Sequence, residues 1–342
     1  GAGSVRAARR PAPWQHAGMP DTPPPAALQP PPVIALLSRT VDLSFLVPAF
    51  QAACPGIDLR LPPDLGPLHT IEAAACWQPP PGVLATLPGL RLVQSMAAGI
   101  DHLTGDPTLP QQVPLCRIVD PEMASGMAAY VVWAVVHHQR HMGLLLRQAD
   151  QQLWKTQPVQ PTRQHRVGIA GLGTLGQACA RALLALGYSV RGWRRSASGG
   201  APDGVALFQG DGQRADFLAG CDTLVNLLPL TDATRGVLNA ALFAQLPPGA
   251  HLVNVGRGEH LVEADLLAAL ANGQLGAATL DTFAQEPLPA DHPFWQHPQI
   301  TVTPHIATRT HPSVLVRQTL DNLAAVRAGQ RPAAVVDLAR GY

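Results

Sequence analysis

The chain is poor in charge, and lysine is almost absent from it. Of its 342 residues 14% are charged, Lys155 is the single lysine, and the formal net charge is +1. A nearly neutral surface lacks the positive field with which proteins hold nucleic acids or acidic membranes. No run of roughly eighteen apolar residues occurs either, so we expect no transmembrane helix. These absences predict neither a nucleic-acid partner nor a membrane partner.

Cysteine is also scarce and lacks the spacing of a metal or disulfide site. The five cysteines are not arranged as CxxC and have no histidine ligands nearby: Cys54, Cys76, Cys116, Cys179 and Cys221. Scattered cysteines of this kind are typical of buried, reduced thiols in the cytoplasm, with disulfides or a metal site as the alternative. We therefore predict a cytoplasmic protein without a metal.

The length and the hydrophobic fraction of 46% predict two domains with large cores. Residues 1–32 differ from the rest because they are rich in Pro, Ala and Arg and show no apolar period. We expect a disordered extension or tag there, with a functional arm as the alternative. Met19 is a candidate natural start, which leaves open whether residues 1–18 are native.

From residue 33 onwards, short apolar runs alternate with helical stretches, as in parallel α/β proteins. Buried strands are predicted at 33–37, 71–77, 90–94, 165–170, 189–193, 223–227, 251–255, 276–280 and 300–303. Helices are predicted at 121–146, 177–186 and 313–327.

One glycine-rich loop follows an apolar strand and opens a helix. Gly171, Gly173 and Gly176 match the GxGxxG pattern that binds a dinucleotide. The first glycine permits a tight turn, the second a close approach of the pyrophosphate, and the third close packing of helix on strand. The backbone N–H groups of Thr174 and Leu175 are expected to face the phosphates. The alternative is a glycine-rich turn without a ligand.

The end of the next strand indicates which dinucleotide is used. NAD enzymes usually place a carboxylate there, to bind the ribose 2′-hydroxyl. This chain has Arg194, Arg195 and Ser196 after Trp193 instead, which suits a 2′-phosphate. We predict NADP as cofactor, with NADPH preferred over NADH; a solvated basic turn is the alternative.

Three residues downstream form a candidate catalytic set. Arg257 lies in Val-Asn-Val-Gly-Arg-Gly, Glu286 precedes a proline, and His305 follows one. An arginine can clamp a substrate carboxylate and polarise a carbonyl. A histidine can protonate the carbonyl oxygen as hydride reaches the carbon, and a carboxylate can keep that histidine charged and oriented. The alternatives are a structural ion pair for the arginine and simple packing for the histidine.

In this order, the motifs resemble the D-isomer-specific 2-hydroxyacid dehydrogenases, and among them the glyoxylate/hydroxypyruvate reductase A branch. The resemblance covers residues 33–342, including Gln-Ser-Met-Ala-Ala-Gly-Ile-Asp at 94–101 and Phe-Trp-Gln-His-Pro at 294–298. It implies two Rossmann-like, doubly wound parallel-sheet domains of the α/β class. The substrate-binding domain is expected to be discontinuous, from 33–121 and 308–342, around an NAD(P)-binding domain at 122–307.

The resemblance also assigns roles to single positions. Asp281 matches an aspartate that contacts the nicotinamide, and Leu228, Pro229 and Thr234 match a loop that covers the cofactor. Backbone N–H groups of Ala98 and Gly99 are candidates for an anion-binding nest for the substrate carboxylate. Trp77 is expected to wall off a small pocket, with core packing as its alternative.

The implied activity is NADPH-dependent reduction of glyoxylate to glycolate and of hydroxypyruvate to D-glycerate, with His305 as proton donor. The implied assembly is a homodimer through the 122–146 helix, on which Met127, Tyr130, Val131, Trp133 and Val136 are more apolar than one core face requires. The alternative is a helix buried within its own domain.

Other functions remain open from the sequence alone. The same fold serves as a dinucleotide-sensing corepressor, although the chain ends at Tyr342 without the long tail expected for that role. A broader reductase of pyruvate or sugar acids is a second alternative. The volume of the pocket determines which acids fit, and the sequence does not give that volume. Glu286 argues against formate dehydrogenases, which carry Gln at that position. The preferred keto acid, the physiological direction and the kinetic constants are not determined.

Overall fold

Two parallel sheets organise the protein, as seen in a computed structural model that describes residues 28–196 and 199–338. The first sheet has the strand order β2-β1-β3-β4-β5, and all of its neighbouring strands run parallel. Its strands are β1 Val33–Leu37, β2 Asp58–Arg60, β3 Ala73–Cys76, β4 Leu92–Ser95 and β5 Leu115–Cys116.

The second sheet has seven parallel strands in the order β12-β11-β10-β9-β6-β7-β8. Its strands are β6 Arg166–Ala170, β7 Ser189–Arg194, β8 Ala206–Gln209, β9 Thr223–Asn226, β10 Ala250–Asn254, β11 Leu275–Leu280 and β12 Ile300–Val302. From β6 the chain adds β7 and β8 on one side of the sheet, and from β9 it adds β10, β11 and β12 on the other side. In open parallel sheets this switch point, at the carboxyl ends of the strands, is where ligands bind.

Nine helices cover the sheets within the described residues. They are α1 Val47–Ala53, α2 Asp101–Thr104, α3 Glu122–Gln139, α4 Met142–Asp150, α5 Thr174–Ala185, α6 Arg214–Ala219, α7 Ala240–Phe243, α8 Glu263–Ala271 and α9 Pro312–Arg327. None of the helices in the described ranges is long and apolar enough to cross a bilayer.

The last helix returns to the first sheet, so the first lobe is built from both ends of the chain. α9 packs against α1 and β4. Its Asn322 donates from Nδ2 to Gln94 Oε1 at 2.8 Å in a buried contact, and Arg327 pairs with Glu72 at 2.6 Å. These contacts join residues more than two hundred positions apart, and the α/β fold with a discontinuous lobe is therefore as expected.

Burial explains why the strand predictions hold. β1 coincides with the predicted 33–37, and most other predicted strands are found with their ends shifted by one or two residues. Strands in the middle of a parallel sheet are covered on both faces, so they are continuous apolar runs that sequence patterns detect. The short strands β2, β5 and β8 were missed. They are edge or near-edge strands of two to four residues with weaker apolar patterns.

Two helix predictions need correction. The predicted helix 121–146 is two helices, because His141 adopts a left-handed backbone (φ 54°) between α3 and α4. The predicted helix 177–186 starts earlier, at Thr174, directly after the glycine loop. Gly187 follows it with φ 84°, which is the expected glycine end of a helix.

The amino-terminal extension was expected to reach residue 32, but the fold begins earlier. Leu28 is buried in the core of the first lobe, and Pro30 accepts a hydrogen bond of 2.7 Å from Arg327 Nη1. Residues 1–27 lie outside the described part of the chain.

Candidate active site

The glycine loop lies at the switch point of the second sheet, between the ends of β6 and β9. Gly171 has φ 104°, and a Cβ there would lie 2.6 Å from the carbonyl oxygen of Leu227. At Gly176 a Cβ would overlap the carbonyl oxygen of Gly171, so helix and strand can pack closely only at a glycine. A Cβ on Gly173 would meet no atom within 4 Å. Open space at the middle glycine, at the first turn of a helix, is the cradle that a pyrophosphate needs.

A cavity of about 270 Å³ adjoins this loop. Its apolar floor is formed by residues from β6, β7, β9 and the helices behind them. Among the predicted cofactor residues, Arg195, Leu228 and Thr234 line the cavity, and Arg214 joins them at the amino end of α6. Arg214 was not anticipated, because its separation from Arg195 along the chain hides their proximity.

The other predicted cofactor residues lie elsewhere in this region. The guanidinium of Arg194 is beside Gly199 rather than among the side chains that line the cavity, so Arg195 is the better candidate for a 2′-phosphate. Ser196 follows on the exposed turn. Pro229 accepts a hydrogen bond from Thr234 Oγ1 at 2.6 Å, which shapes the loop above the cavity.

A histidine and a carboxylate form the centre of the second site. Nδ1 of His305 lies 2.8 Å from Oε2 of Glu286. The other carboxylate oxygen, Oε1, accepts from the backbone N–H of Phe283 at 3.0 Å, which fixes the orientation of the Glu286 side chain. The backbone of His305 is left-handed, with φ 52°. The contact occupies one ring nitrogen and leaves Nε2 as the nitrogen that can meet a substrate.

Asp281 anchors the segment that carries His305. Its side chain is 1% exposed, and Oδ1 accepts from Thr303 Oγ1 at 2.6 Å and from Ile306 N at 2.8 Å. Oδ2 accepts from Ala307 N at 2.8 Å. Burial raises the pKa of Asp281, although these hydrogen bonds oppose that rise. Asp281 was expected to contact the nicotinamide. In the structure its hydrogen bonds hold the loop on both sides of His305.

Arg257 follows β10, and buried polar side chains hold its backbone. The N–H of Arg257 donates to Nδ1 of His260 at 3.0 Å, and its carbonyl oxygen accepts from Nδ2 of Asn254 at 3.0 Å. Burial lowers the pKa of His260, which favours the neutral ring that can accept this hydrogen bond. The sequence analysis proposed a role for Arg257 but did not predict these two supports.

The guanidinium of Arg257 meets a carboxylate from the first lobe. Asp101, at the start of α2, lies 3.1 Å from Nη2 and 3.2 Å from Nε. Burial raises the pKa of Asp101, but the charge and hydrogen bonds of Arg257 outweigh burial and lower it. Gly99 lies against the same guanidinium, and a Cβ there would overlap Nη2. Gly99, half-buried like Ala98, thus borders Arg257.

Trp77 closes the site from the end of β3. Its ring lies 5.6 Å from that of His305 in an edge-on contact and 4.9 Å from that of His102. Burial lowers the pKa of His102 to about 4, so this ring is neutral near pH 7. Nδ1 of His102 accepts from Gln78 N at 3.0 Å, and Nε2 lies 2.9 Å from Ser95 Oγ. Trp77 is half-buried, packs against the core of the first lobe and also lines the site.

Together these side chains surround a small cleft between the two lobes. Its volume is about 50 Å³, and it is lined by Trp77, Gln78, Asp101, His102, Arg257, Gly258, Glu259, Phe283, Ala284, Glu286 and His305. The structure brings together all of the predicted catalytic residues. The sequence analysis did not predict Asp101 and His102 as site residues, although Asp101 ends the 94–101 stretch of the family resemblance. The partner of Asp101, Arg257, is distant in sequence.

Comparisons with known proteins agree with this geometry. Residues 132–307 match the family described as D-isomer specific 2-hydroxyacid dehydrogenase, NAD binding domain. A curated relative from Serratia proteamaculans, glyoxylate/hydroxypyruvate reductase A, is 43% identical over 317 residues, which cover 88% of this chain and 100% of the relative.

Solved structures show the same likeness over most of the chain. A D-isomer-specific 2-hydroxyacid dehydrogenase from Xanthobacter autotrophicus, in complex with NADPH and MES, is 38% identical with a TM-score of 0.78, covering 91% of this chain and 100% of that one. An NADPH-dependent glyoxylate/hydroxypyruvate reductase from Sinorhizobium meliloti, in complex with NADP and sulfate, is 34% identical with a TM-score of 0.79, covering 91% and 100%. With its glycine loop, its Arg–Glu–His cleft and these relatives, the chain belongs to the D-isomer-specific 2-hydroxyacid dehydrogenase family.

Proposed function

We propose that this protein reduces small 2-keto acids with NADPH, converting glyoxylate to glycolate and hydroxypyruvate to D-glycerate. The observation that carries the proposal is the convergence of Arg257, the His305–Glu286 pair and Trp77 on one small cleft. The names of the relatives from Serratia and Sinorhizobium support the same activity.

The side chains of the cleft supply three functions. Arg257 grips the substrate carboxylate and polarises the adjacent carbonyl. NADPH, when bound, supplies the hydride that reaches the carbonyl carbon. Nε2 of His305 donates its proton to the carbonyl oxygen, and the product is the 2-hydroxy acid. Glu286 stabilises the positive charge of His305 before this transfer and fixes the ring through Nδ1.

The cofactor residues favour a phosphorylated ribose. Arg195 and Arg214 place two cations at one cavity, and β7 ends in Arg194 instead of a carboxylate. Asp211 lines the same cavity, so the local charge is the sum of two guanidiniums and one carboxylate. We infer that the 2′-phosphate of NADPH lies against Arg195. Gly173, Thr174 and Leu175 would hold the pyrophosphate at the start of α5.

The size of the cleft favours two- and three-carbon acids. We would measure kcat/KM for glyoxylate, hydroxypyruvate, pyruvate and a bulky branched keto acid, each with NADPH and with NADH. The expected order places glyoxylate and hydroxypyruvate first and NADPH ahead of NADH. Equal rates with the bulky acid would reject the small-substrate proposal, and an NADH preference would reject the cofactor proposal. Absence of turnover together with tight NADPH binding would favour the corepressor alternative.

The exposed residues that support the proposed homodimer differ from most of those that the sequence analysis named. Met127, Tyr130 and Val131 are buried in the core of their own lobe, so the sequence argument was wrong for these three residues. Trp133 is 39% exposed on the same helix. Further exposed apolar side chains continue beyond it: Met142, Leu144, Leu146, Leu153 and Trp154.

Light scattering at micromolar concentration tests the dimer. We expect the mass of two chains for the native protein and of one chain for a Trp133→Glu and Leu146→Glu double variant. Phe45→Glu is the matched control, because Phe45 is an exposed apolar residue on the other lobe. A native mass of one chain would contradict the proposal.

The domain boundaries and the cellular location also remain proposals. We propose a substrate-binding domain from 33–121 and 308–342 and a nucleotide-binding domain from 122–307, in line with the packing of α9 on the first lobe. A cytoplasmic location is supported by five free and buried cysteines.

A further inference from the structure

The carboxylate of Asp101 engages one edge of the Arg257 guanidinium. Oδ1 lies 3.3 Å from Nε and 3.1 Å from Nη2, and Oδ2 lies 3.2 Å from Nε. Nε and Nη2 form the side of the guanidinium that binds carboxylates in a fork. Asp101 belongs to the first lobe and Arg257 to the second, so this ion pair crosses the cleft in which the substrate is proposed to bind.

The remaining donors of Arg257 are available to a second anion. A guanidinium carries five N–H groups. Nη1 donates to the carbonyl oxygen of Gly256 at 3.0 Å, and with the contacts to Asp101 these hydrogen bonds use three of the five. The other two belong to Nη1 and Nη2. Because Asp101 fixes the Nε–Nη2 edge, it also fixes the direction in which the Nη1–Nη2 end of the guanidinium points.

The segment that carries Asp101 is shaped for this contact. A side chain at Gly99 would overlap the guanidinium, so the close approach of Arg257 to the 98–101 loop would be lost unless the Arg257 side chain shifted. The side chains of Arg257 and Asp101 are 30% and 43% exposed, so water competes with the pair but does not separate it. The neighbouring His102 is neutral near pH 7 and adds no competing charge.

We propose that Asp101 is a positioning residue for the reduction. It holds the Nε–Nη2 edge of Arg257, so that the free N–H groups at the other end of the guanidinium face the carboxylate of the keto acid. This role rests on the proposed function of Arg257 as the substrate clamp. Because the two partners lie on different lobes, the clamp is complete only when the lobes are close together.

The direction of the change in anion affinity distinguishes a positioning role of Asp101 from simple neutralisation of the Arg257 charge. If Asp101 only cancelled the charge of Arg257, its removal would make the cleft more positive and would tighten the binding of anions. If it orients the guanidinium, its removal frees the side chain to rotate, and anions bind more weakly despite the gain in positive charge. The two roles thus predict opposite changes in affinity.

The experiment compares Asp101→Asn with the native enzyme. Oxalate is the probe, titrated into the NADPH complex and followed by NADPH fluorescence, and steady-state rates are measured with glyoxylate. We expect a rise of about tenfold in the oxalate Kd and in the glyoxylate KM, on the scale of one charged hydrogen-bond pair. A smaller fall in kcat and an unchanged NADPH Kd are also expected. Asp101→Glu should recover part of the loss, because it restores the charge with one extra methylene.

Asp58→Asn is the matched control. Arg60 binds Asp58 through the same Nε and Nη2 edge, at 2.6 Å for both contacts, but on the surface of the first lobe. This variant should leave all four constants unchanged.

Two outcomes would overturn the positioning role of Asp101 and leave the proposed function unaffected. The first is an active native enzyme whose Asp101→Asn variant has unchanged constants, and the second is a variant that binds oxalate more tightly. A native enzyme that neither reduces glyoxylate nor binds oxalate would overturn the proposed function itself, and the role of Asp101 with it. Should Asp101→Asn fail to fold, Asp101→Ser takes its place, and native constants in that variant would reject the positioning role.

Discussion

At the scale of single residues, His305 combines an unfavourable backbone with a defined side-chain contact. Its φ of 52° lies in the left-handed region, which costs a residue with a Cβ roughly 1–2 kcal/mol. The structure offsets that cost through Asp281, which accepts the N–H groups of Ile306 and Ala307 directly after it. A histidine held in this way keeps Nδ1 on Glu286 and needs little reorganisation before the proposed proton transfer.

The proposed proton donor is tested by His305→Asn. Asparagine tolerates the left-handed backbone, so the loop should keep its shape while the imidazole is lost. We expect kcat for glyoxylate to fall by about 10² or more, with an unchanged Kd for NADPH. Turnover close to native in this variant would remove His305 from the mechanism. Exchanging His297, a histidine outside the cleft, for Asn provides the control for general effects of the substitution.

The cofactor preference depends on Arg195. Its removal should raise the KM for NADPH about tenfold and leave the KM for NADH nearly unchanged, because only NADPH offers a phosphate to a charge-assisted hydrogen bond. Arg163→Ala serves as control, since Arg163 is an exposed arginine away from the cavity. Equal losses for the two cofactors would mean that Arg195 contacts a part of the dinucleotide that both share.

At the scale of elements, the turn from β6 into α5 contains three glycines, and a different physical reason accounts for each of them. Gly171 needs a positive φ, Gly176 needs close packing, and Gly173 needs neither in the protein alone. Its dihedral angles, φ −71° and ψ −169°, are accessible to alanine. A glycine without a structural requirement, beside a helix amino terminus, indicates a requirement set by the ligand.

This difference predicts separable effects of two alanine substitutions. Gly173→Ala should keep the thermal midpoint within a few degrees of native and weaken NADPH binding. Gly176→Ala should lower the midpoint as well, because its Cβ would overlap the carbonyl oxygen of Gly171. Thermal unfolding without cofactor and NADPH titration by fluorescence measure the two effects. Unchanged NADPH affinity in Gly173→Ala would show that the pyrophosphate lies elsewhere.

At the scale of the whole molecule, loops that follow strands of both sheets line one cleft, and a different cluster lies at the amino ends of β9 and β10. There the ring of His138 on α3 stacks on that of His251 on β10, with centroids 4.2 Å apart. His251 is fully buried between Thr279 and Thr223, and His165 contacts the same Thr223 at 2.9 Å. The cluster joins α3 to three neighbouring strands.

Burial and mutual repulsion keep these histidines neutral. Burial, followed by the charge of neighbouring histidines, lowers the pKa of His138 to about 4 and that of His251 well below its usual value. In the unfolded chain both would titrate near the ordinary pKa of about 6.5. The unfolded state therefore binds more protons than the folded state as the pH falls from about 6.5 toward 4, and stability falls with it.

We expect the free energy of unfolding to decrease between pH 7 and pH 5, by up to about 1.4 kcal/mol per pH unit for each such histidine. His251→Gln should reduce this slope by about one proton, even if the variant is less stable at pH 7. His69→Gln should keep the native slope, because His69 is exposed. Urea titrations at several pH values measure the slope, and an unchanged slope in His251→Gln would refute the assignment.

The sequence alone determined the elements whose physical causes are local. The central strands are continuous apolar runs because both of their faces are covered. The glycine loop is recognisable because its three glycines keep the spacing that a tight turn, the close approach of a pyrophosphate and helix–strand packing require. Arg257, Glu286 and His305 were found from their motifs and their order in the chain. Their convergence on one cleft agrees with that prediction.

Only the tertiary structure decided which distant side chains meet. Asp101 is 156 positions from Arg257, and Arg214, at the start of α6, lines the same cavity as Arg195, which follows β7. No periodicity or spacing encodes such contacts, because they depend on how separate elements pack. The same holds for the side chain of Arg194, which lies beside Gly199, and for Met127, Tyr130 and Val131, which pack in the core of their own lobe. An apolar helix face looks the same in sequence whether its own lobe or a second chain covers it.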